Sequence, residues 1–180
     1  MNNYEFTLKF SLPNSQENPG KYVEQLGAVG CDDALIGIGQ QGRISLNFIR
    51  ESSSADEAIS SAIDDVKRAI PAAKLIEATP DLVGLTEVAD LIGCTRPNMK
   101  EIMINGGSAF PIPVHEGNPA IWHLATILSW LQETNTYQIE ETLVDVAKTN
   151  MQVNIAREID NLEPNLQQKV LFLSGTRFLT

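Results

Sequence analysis

Apolar and polar side chains along the first eighty residues follow two different periods in turn. Residues 4–12 alternate strictly between apolar and polar, which predicts a half-buried strand. A helical spacing of apolar positions is clearest over residues 54–70, where an amphipathic helix is predicted. The whole segment predicts a strand, a helix, two strands, a helix and a strand, at residues 4–12, 21–29, 34–38, 43–49, 54–70 and 74–78.

This order of elements predicts a ferredoxin-like βαββαβ sandwich for residues 1–80. Gly37, Gly39 and Gly42 match the G-x-G-x-x-G pattern of dinucleotide-binding loops. That pattern needs a helix after its last glycine, whereas residues 43–49 alternate like a strand, so we interpret the glycines as a hairpin loop. The segment has no histidine and no nucleophile next to a base, and we expect it to act as a sensor, dimerisation or partner domain.

After Pro80 the pattern predicts two short helices separated by a tight turn. Thr86 is expected to cap the first helix, and Gly93 to end it in the left-handed conformation that glycine adopts easily. Thr95 is expected to cap the second helix, residues 96–104, which turns Met99 inward. Two short helices joined by a glycine-containing turn are typical of a helix-turn-helix.

A small β-wing is predicted after the second helix. Residues 110–114 and 120–122 are extended pieces around a turn-rich tip, and residues 123–133 form another helix. This stretch resembles the excisionase-like, AlpA-type branch of the MerR superfamily of winged helix-turn-helix proteins. The resemblance covers residues 84–133 and rests on LTEVADLIGCTR at 85–96, FP at 110–111 and WHLATILSWL at 122–131.

The resemblance implies that residues 81–133 bind DNA, with the second helix in the major groove and the wing on the backbone. The positions that it assigns to DNA contacts are Thr95, Arg96, Asn98 and Lys100 on the helix and His115 and Asn118 in the wing. A solvated helix face is the alternative for Arg96 and Lys100, and an ordinary turn residue is the alternative for His115.

Two acidic residues depart from what such a domain usually carries. Glu101 lies in the second helix and Glu116 in the wing, and no lysine or arginine occurs from residue 101 to 147. Fewer phosphate contacts weaken binding, so one copy should bind DNA poorly. Either two or more copies bind DNA together, or the fold binds a protein partner and not DNA.

The remaining segment, residues 134–180, is predicted to be a helical hairpin. A long helix over 135–159 and a second over 165–173 both carry apolar stripes. We expect this surface to mediate oligomerisation, although packing onto the chain's own wing helix is the alternative. The residues expected at the oligomer interface are Ile139, Leu143, Val146, Val153, Ile155 and Ile159.

The amino-acid composition excludes several classes of protein and of binding site. The 180 residues carry 23 acidic and 13 basic side chains, a formal net charge of −10, so a protein that coats nucleic acid nonspecifically is excluded. Cys31 and Cys94 are too few for a disulfide scaffold, and His115 and His123 lack ligands at metal-binding spacing, so neither metal nor cofactor is expected. The sequence shows no signal peptide and no membrane span, which favours the cytoplasm.

Together these patterns predict an α+β protein with three segments, at residues 1–80, 81–133 and 134–180. We expect a transcription regulator rather than an enzyme, binding double-stranded DNA as a homodimer or higher oligomer. The alternative is a protein-interaction or antitoxin-like adaptor, in which acidic surfaces bind a protein partner and the winged fold is a scaffold.

Overall fold

A computed structural model describes residues 1–163, and their fold is α+β. The first half contains a four-stranded antiparallel sheet, whose strands occur in the spatial order β2-β3-β1-β4. The elements follow the order predicted for residues 1–80. They are β1 (Asn2–Ser11), α1 (Val23–Val29), β2 (Ala34–Gly37), β3 (Arg43–Ser52), α2 (Ala55–Ala69) and β4 (Lys74–Thr79).

Side-chain periodicity explains why the sheet and α2 form. Alternate residues of β1 and β3 are buried, and the rings of Phe6 and Phe48 stack with their centroids 5.2 Å apart. The helix α2 begins where the Ser54 hydroxyl accepts a hydrogen bond from the Glu57 amide at 3.1 Å. Acidic residues in its first turn and basic residues in its last suit the helix dipole.

The second half is a smaller helical unit with its own core. Its elements are β5 (Leu82–Val83), α3 (Leu85–Ile92), α4 (Arg96–Gly106), β6 (Trp122–His123), α5 (Leu124–Glu133) and α6 (Glu141–Asp160). The two-residue strands β5 and β6 pair antiparallel and hold the start of α3 next to the start of α5. The sequence did not predict β5, because two residues are too few to show a period, whereas β6 overlaps the predicted extended piece 120–122 at Trp122. Within residues 1–163, no helix is both long and apolar enough to span a membrane.

The last helix within residues 1–163, α6, lies between the two halves and contributes to both cores. We call the four-stranded sheet with α1 and α2, residues 2–79, the sheet domain. Val146 is buried in the core of the sheet domain, and Val153 packs against that core. Val144 and Ala147 are buried in the core of the helical unit, with Leu143 packed against them. Over residues 134–163, the third predicted segment therefore packs into both cores and does not form a separate unit.

The predicted start of this helix is wrong. Residues 135–140 are not helical, and Asn135, which follows α5, has a φ of 50°. Ile139 still packs against the second core, but from a non-helical connection, so its apolar spacing imitated a helical turn. The second predicted helix, 165–173, lies outside the described residues.

Four of the six residues assigned to an oligomer interface are instead used within the chain. Val146 is only 1% exposed, so it is not available to a second copy. Ile139 and Leu143 pack against the core that contains the predicted wing helix, which is the alternative that the sequence left open, whereas Val153 packs against the core of the sheet, which the sequence did not predict. Ile155 and Ile159, the last two of the set, are 43% and 37% exposed.

Candidate nucleic-acid interface

The turn between α3 and α4 is fixed by local hydrogen bonds. The α3 helix begins one residue after Gly84, whose amide donates to the Glu87 carboxylate at 3.1 Å, so the prediction that Thr86 caps this helix is wrong. At the other end Gly93 adopts a φ of 72°, as predicted, and its amide donates back to the Ala89 and Asp90 carbonyls. The left-handed glycine redirects the chain into α4 within three residues.

Thr95 starts α4 as predicted. Its hydroxyl accepts a hydrogen bond from the Asn98 amide at 3.3 Å, and Pro97 occupies the first turn, where a missing amide hydrogen costs nothing. Met99 is the one buried residue of this helix, with Ile102 and Met103 partly buried against the same core. The helix is thus anchored along one narrow stripe and presents the rest of its surface to solvent.

The exposed surface of α4 carries the predicted DNA-contacting side chains. Thr95, Arg96, Asn98 and Lys100 are all exposed, and Arg96 and Lys100 lie one turn apart on the same side of the helix. Neither base forms an ion pair with any residue of the range 1–163. Both charges are therefore available to a ligand.

The wing is a short turn closed by backbone hydrogen bonds. The His115 and Ile121 backbones bond to each other in both directions, at 3.3 and 3.0 Å. Behind this turn the Trp122 indole nitrogen donates to the Pro111 carbonyl at 2.9 Å, which ties the wing to the core. His115 and Asn118 are both exposed at the tip, as their proposed role requires.

The His115 ring lies directly over Gly117. A Cβ built on Gly117 would come within 2.3 Å of the imidazole Nε2, so this glycine makes room for the ring. The imidazole therefore packs over its own turn while the residue stays exposed.

A polar cluster that the sequence did not indicate holds the helical unit against the sheet domain. The Asp81 carboxylate, 1% exposed as a residue, accepts hydrogen bonds from His123 Nδ1 at 2.7 Å and from Asn154 Nδ2 at 2.8 Å. The Asn154 amide also donates to the Ala78 carbonyl and accepts from the Ala78 amide, at 2.8 and 2.9 Å. It thereby pairs with β4 as a neighbouring strand would. We call Asp81, His123 and Asn154 the polar joint.

The polar joint gives His123 a structural task. Nothing near His123 in the sequence indicates this contact, because its partner Asp81 lies 42 positions earlier in the chain. No group of three or more histidine, cysteine, aspartate or glutamate side chains in the described part of the chain is arranged to hold a metal ion.

Comparisons with known proteins give no family for this chain. No protein family, curated protein or solved structure matches it.

Proposed function

We propose that the protein binds double-stranded DNA and regulates transcription as a dimer or higher oligomer, with α4 in the major groove. The observation that supports this most is the exposed, unpaired Arg96 and Lys100 on a helix that follows a tight glycine turn. Asn98 lies between them and has the amide that pairs with adenine edges. Thr95 and the start of the helix would receive a backbone phosphate.

The arrangement of elements agrees with the two folds that the sequence suggested. The strand order β2-β3-β1-β4 in a βαββαβ chain is the order expected of a ferredoxin-like sandwich. The elements β5, α3, α4, the wing turn, β6 and α5 follow one another as in a winged helix-turn-helix. His115 and Asn118 at the wing tip would then lie against the DNA backbone.

Charge explains why more than one copy should be needed. Residues 81–133 carry six acidic side chains and only two basic ones, Arg96 and Lys100. Affinity for DNA grows with the number of phosphates that cations neutralise, so a single copy would bind weakly. Two copies on paired half-sites double the contacts, and the exposed Ile155 is the residue of α6 that we assign to the contact between copies.

The test is a gel-shift selection from random duplexes with the full chain, followed by a salt series on the selected sites. Arg96→Ala/Lys100→Ala should abolish selective binding and flatten the salt dependence, by about 0.9 in slope for each lost phosphate contact. Lys67→Ala/Lys148→Ala is the matched control, because both lysines are exposed on helices and have no ion pair within residues 1–163. Equal loss in both double variants would refute the role of α4.

A protein-interaction adaptor is the second candidate, and one observation favours it. Ile104 lies on α4, and Ile112 and Val114 lie in the segment that leads into the wing turn; they are 62%, 83% and 53% exposed. Apolar side chains at such positions suit a protein interface better than a phosphate backbone. In the selection above, an adaptor would retain no duplex even at low salt.

A further inference from the structure

A groove lies where the sheet domain, α3 and α6 meet, and no residue of α4 lines it. It consists of two adjoining depressions of about 300 and 400 Å³, which share Leu91, Glu140 and Leu143 as lining residues. Glu5 and Ile49, directly opposite each other on β1 and β3, line one end. Asp90 lines the other. We call this the acidic groove, formed by Glu5, Ile49, Asp90, Leu91, Glu140 and Leu143.

The charge of the acidic groove has one sign. Glu5, Asp90 and Glu140 line it, and neither depression has a lysine or arginine among its lining residues. None of these three carboxylates forms an ion pair with another residue in the range 1–163. Asp90 also lies in the last turn of α3, where the partial negative charge of the helix end adds to its own.

The floor of the acidic groove is apolar and partly open. Ile49 is 57% exposed and Leu91 is 39% exposed, while Leu143 packs half-buried against the second core. A binding segment would therefore gain from covering these side chains with an apolar group of its own. Cations placed on either side of that group would meet the carboxylates.

We propose that the acidic groove binds a basic segment of a partner protein, one that carries an apolar side chain between lysines or arginines. Nucleic acid is repelled by the same carboxylates that attract such a segment. A bare metal ion is a poor occupant, because no cluster of ligating side chains within residues 1–163 converges on one point. Because no residue of α4 lines the groove, the proposal does not depend on whether the protein binds DNA.

The test is an NMR titration of the full chain with the peptide Arg-Arg-Leu-Arg-Arg. We expect amide shifts centred on the lining residues, weaker binding of Arg-Arg-Ser-Arg-Arg, and none of Glu-Glu-Leu-Glu-Glu. The triple variant E5Q/D90N/E140Q should lose about tenfold in affinity, since each exposed charge pair contributes little alone. Rising salt should weaken the interaction in parallel.

The matched control is E24Q/D64N/E116Q, which neutralises three exposed carboxylates that do not line the groove. It should bind the peptide as the parent does. Equal loss in both triple variants, or shifts spread over all acidic surfaces, would show only general charge attraction and would overturn the proposal. Duplex DNA shifting the groove amides, or a dimer lost in E5Q/D90N/E140Q by sedimentation, would assign the groove to another occupant and also overturn it.

Discussion

Replacing Asn154 by leucine should destabilise the whole molecule, because this side chain satisfies buried polar groups on both sides of the polar joint. Leucine has the same number and branching of side-chain heavy atoms, so it fills the space and leaves no room for water. The change leaves the Ala78 amide, the Ala78 carbonyl and one oxygen of Asp81 without the hydrogen bonds to Asn154, which are 2.8 to 2.9 Å long.

The magnitude follows from these three groups. An unsatisfied buried donor or acceptor costs about 1–3 kcal/mol. Asp81 keeps its bond to His123 and so contributes near the lower end of that range. We expect the free energy of unfolding to fall by about 3–5 kcal/mol for Asn154→Leu.

The measurement is urea unfolding followed by far-UV circular dichroism, with linear extrapolation to water. Gln152→Leu is the control on the same helix, since that side chain is exposed and its bond to the Lys148 carbonyl is long at 3.4 Å. It should change stability by less than about 0.5 kcal/mol. A loss below about 1 kcal/mol for Asn154→Leu, or one equal to the control, would refute the account of the polar joint.

Three further predictions test other parts of the structure. Burial raises the pKa of the Cys31 thiol to about 11, so at pH 8 a thiol reagent should label the half-buried Cys94 first and reach Cys31 only on unfolding; mass spectrometry of the labelled peptides would contradict this if both reacted together. Arg50→Met removes the guanidinium that pairs with Asp33 and Asp65, so that Asp33 loses its ion pair and Asp65 keeps only the one with the exposed Arg68; the free energy of unfolding should fall by about 3 kcal/mol, and a neutral result in urea unfolding would show that these charges are already well solvated. Thr95→Ala removes the cap of α4 and should cost about 1 kcal/mol, whereas Thr95→Ser should cost nearly nothing; equal costs in thermal unfolding would mean that the hydroxyl does not cap the helix.

Local periodicity was a sufficient guide wherever an element buries one face against one core. The alternation in β1 and the apolar stripe of α2 belong to that class, and the structure has both elements within two residues of their predicted bounds. Caps formed by a single side chain or glycine, such as Thr95 and Gly93, were also predictable, because the chemistry lies within three or four residues.

The pattern misled where one helix serves two cores. The seven-residue spacing of Ile139, Val146 and Val153 resembles a coiled-coil seam, but the three contacts go to different places. Val146 and Val153 pack on the sheet domain, while Ile139 packs on the helical unit from a non-helical segment. A spacing rule records that residues are apolar and does not say which surface they meet.

Long-range polar contacts were beyond the reach of the sequence. Asp81 meets His123 and Asn154, which lie 42 and 73 positions away, and nothing local in any of the three signals the others. The acidic groove was missed for the same reason, because Glu5, Asp90 and Glu140 come from separate segments. Both features exist only after the two halves have docked.

The position of α6 also determines how this protein can be taken apart. A fragment that ends at Glu133 would lose Val146 from one core and Val144 and Ala147 from the other. Apolar surface of both cores would then be exposed to solvent. Neither half can therefore be moved to another protein on its own, and a fusion that transfers only α3, α4 and α5 would carry an uncovered apolar surface. Any dissection of the activity therefore has to keep Glu141–Asp160 attached, or replace it with a helix that presents both faces.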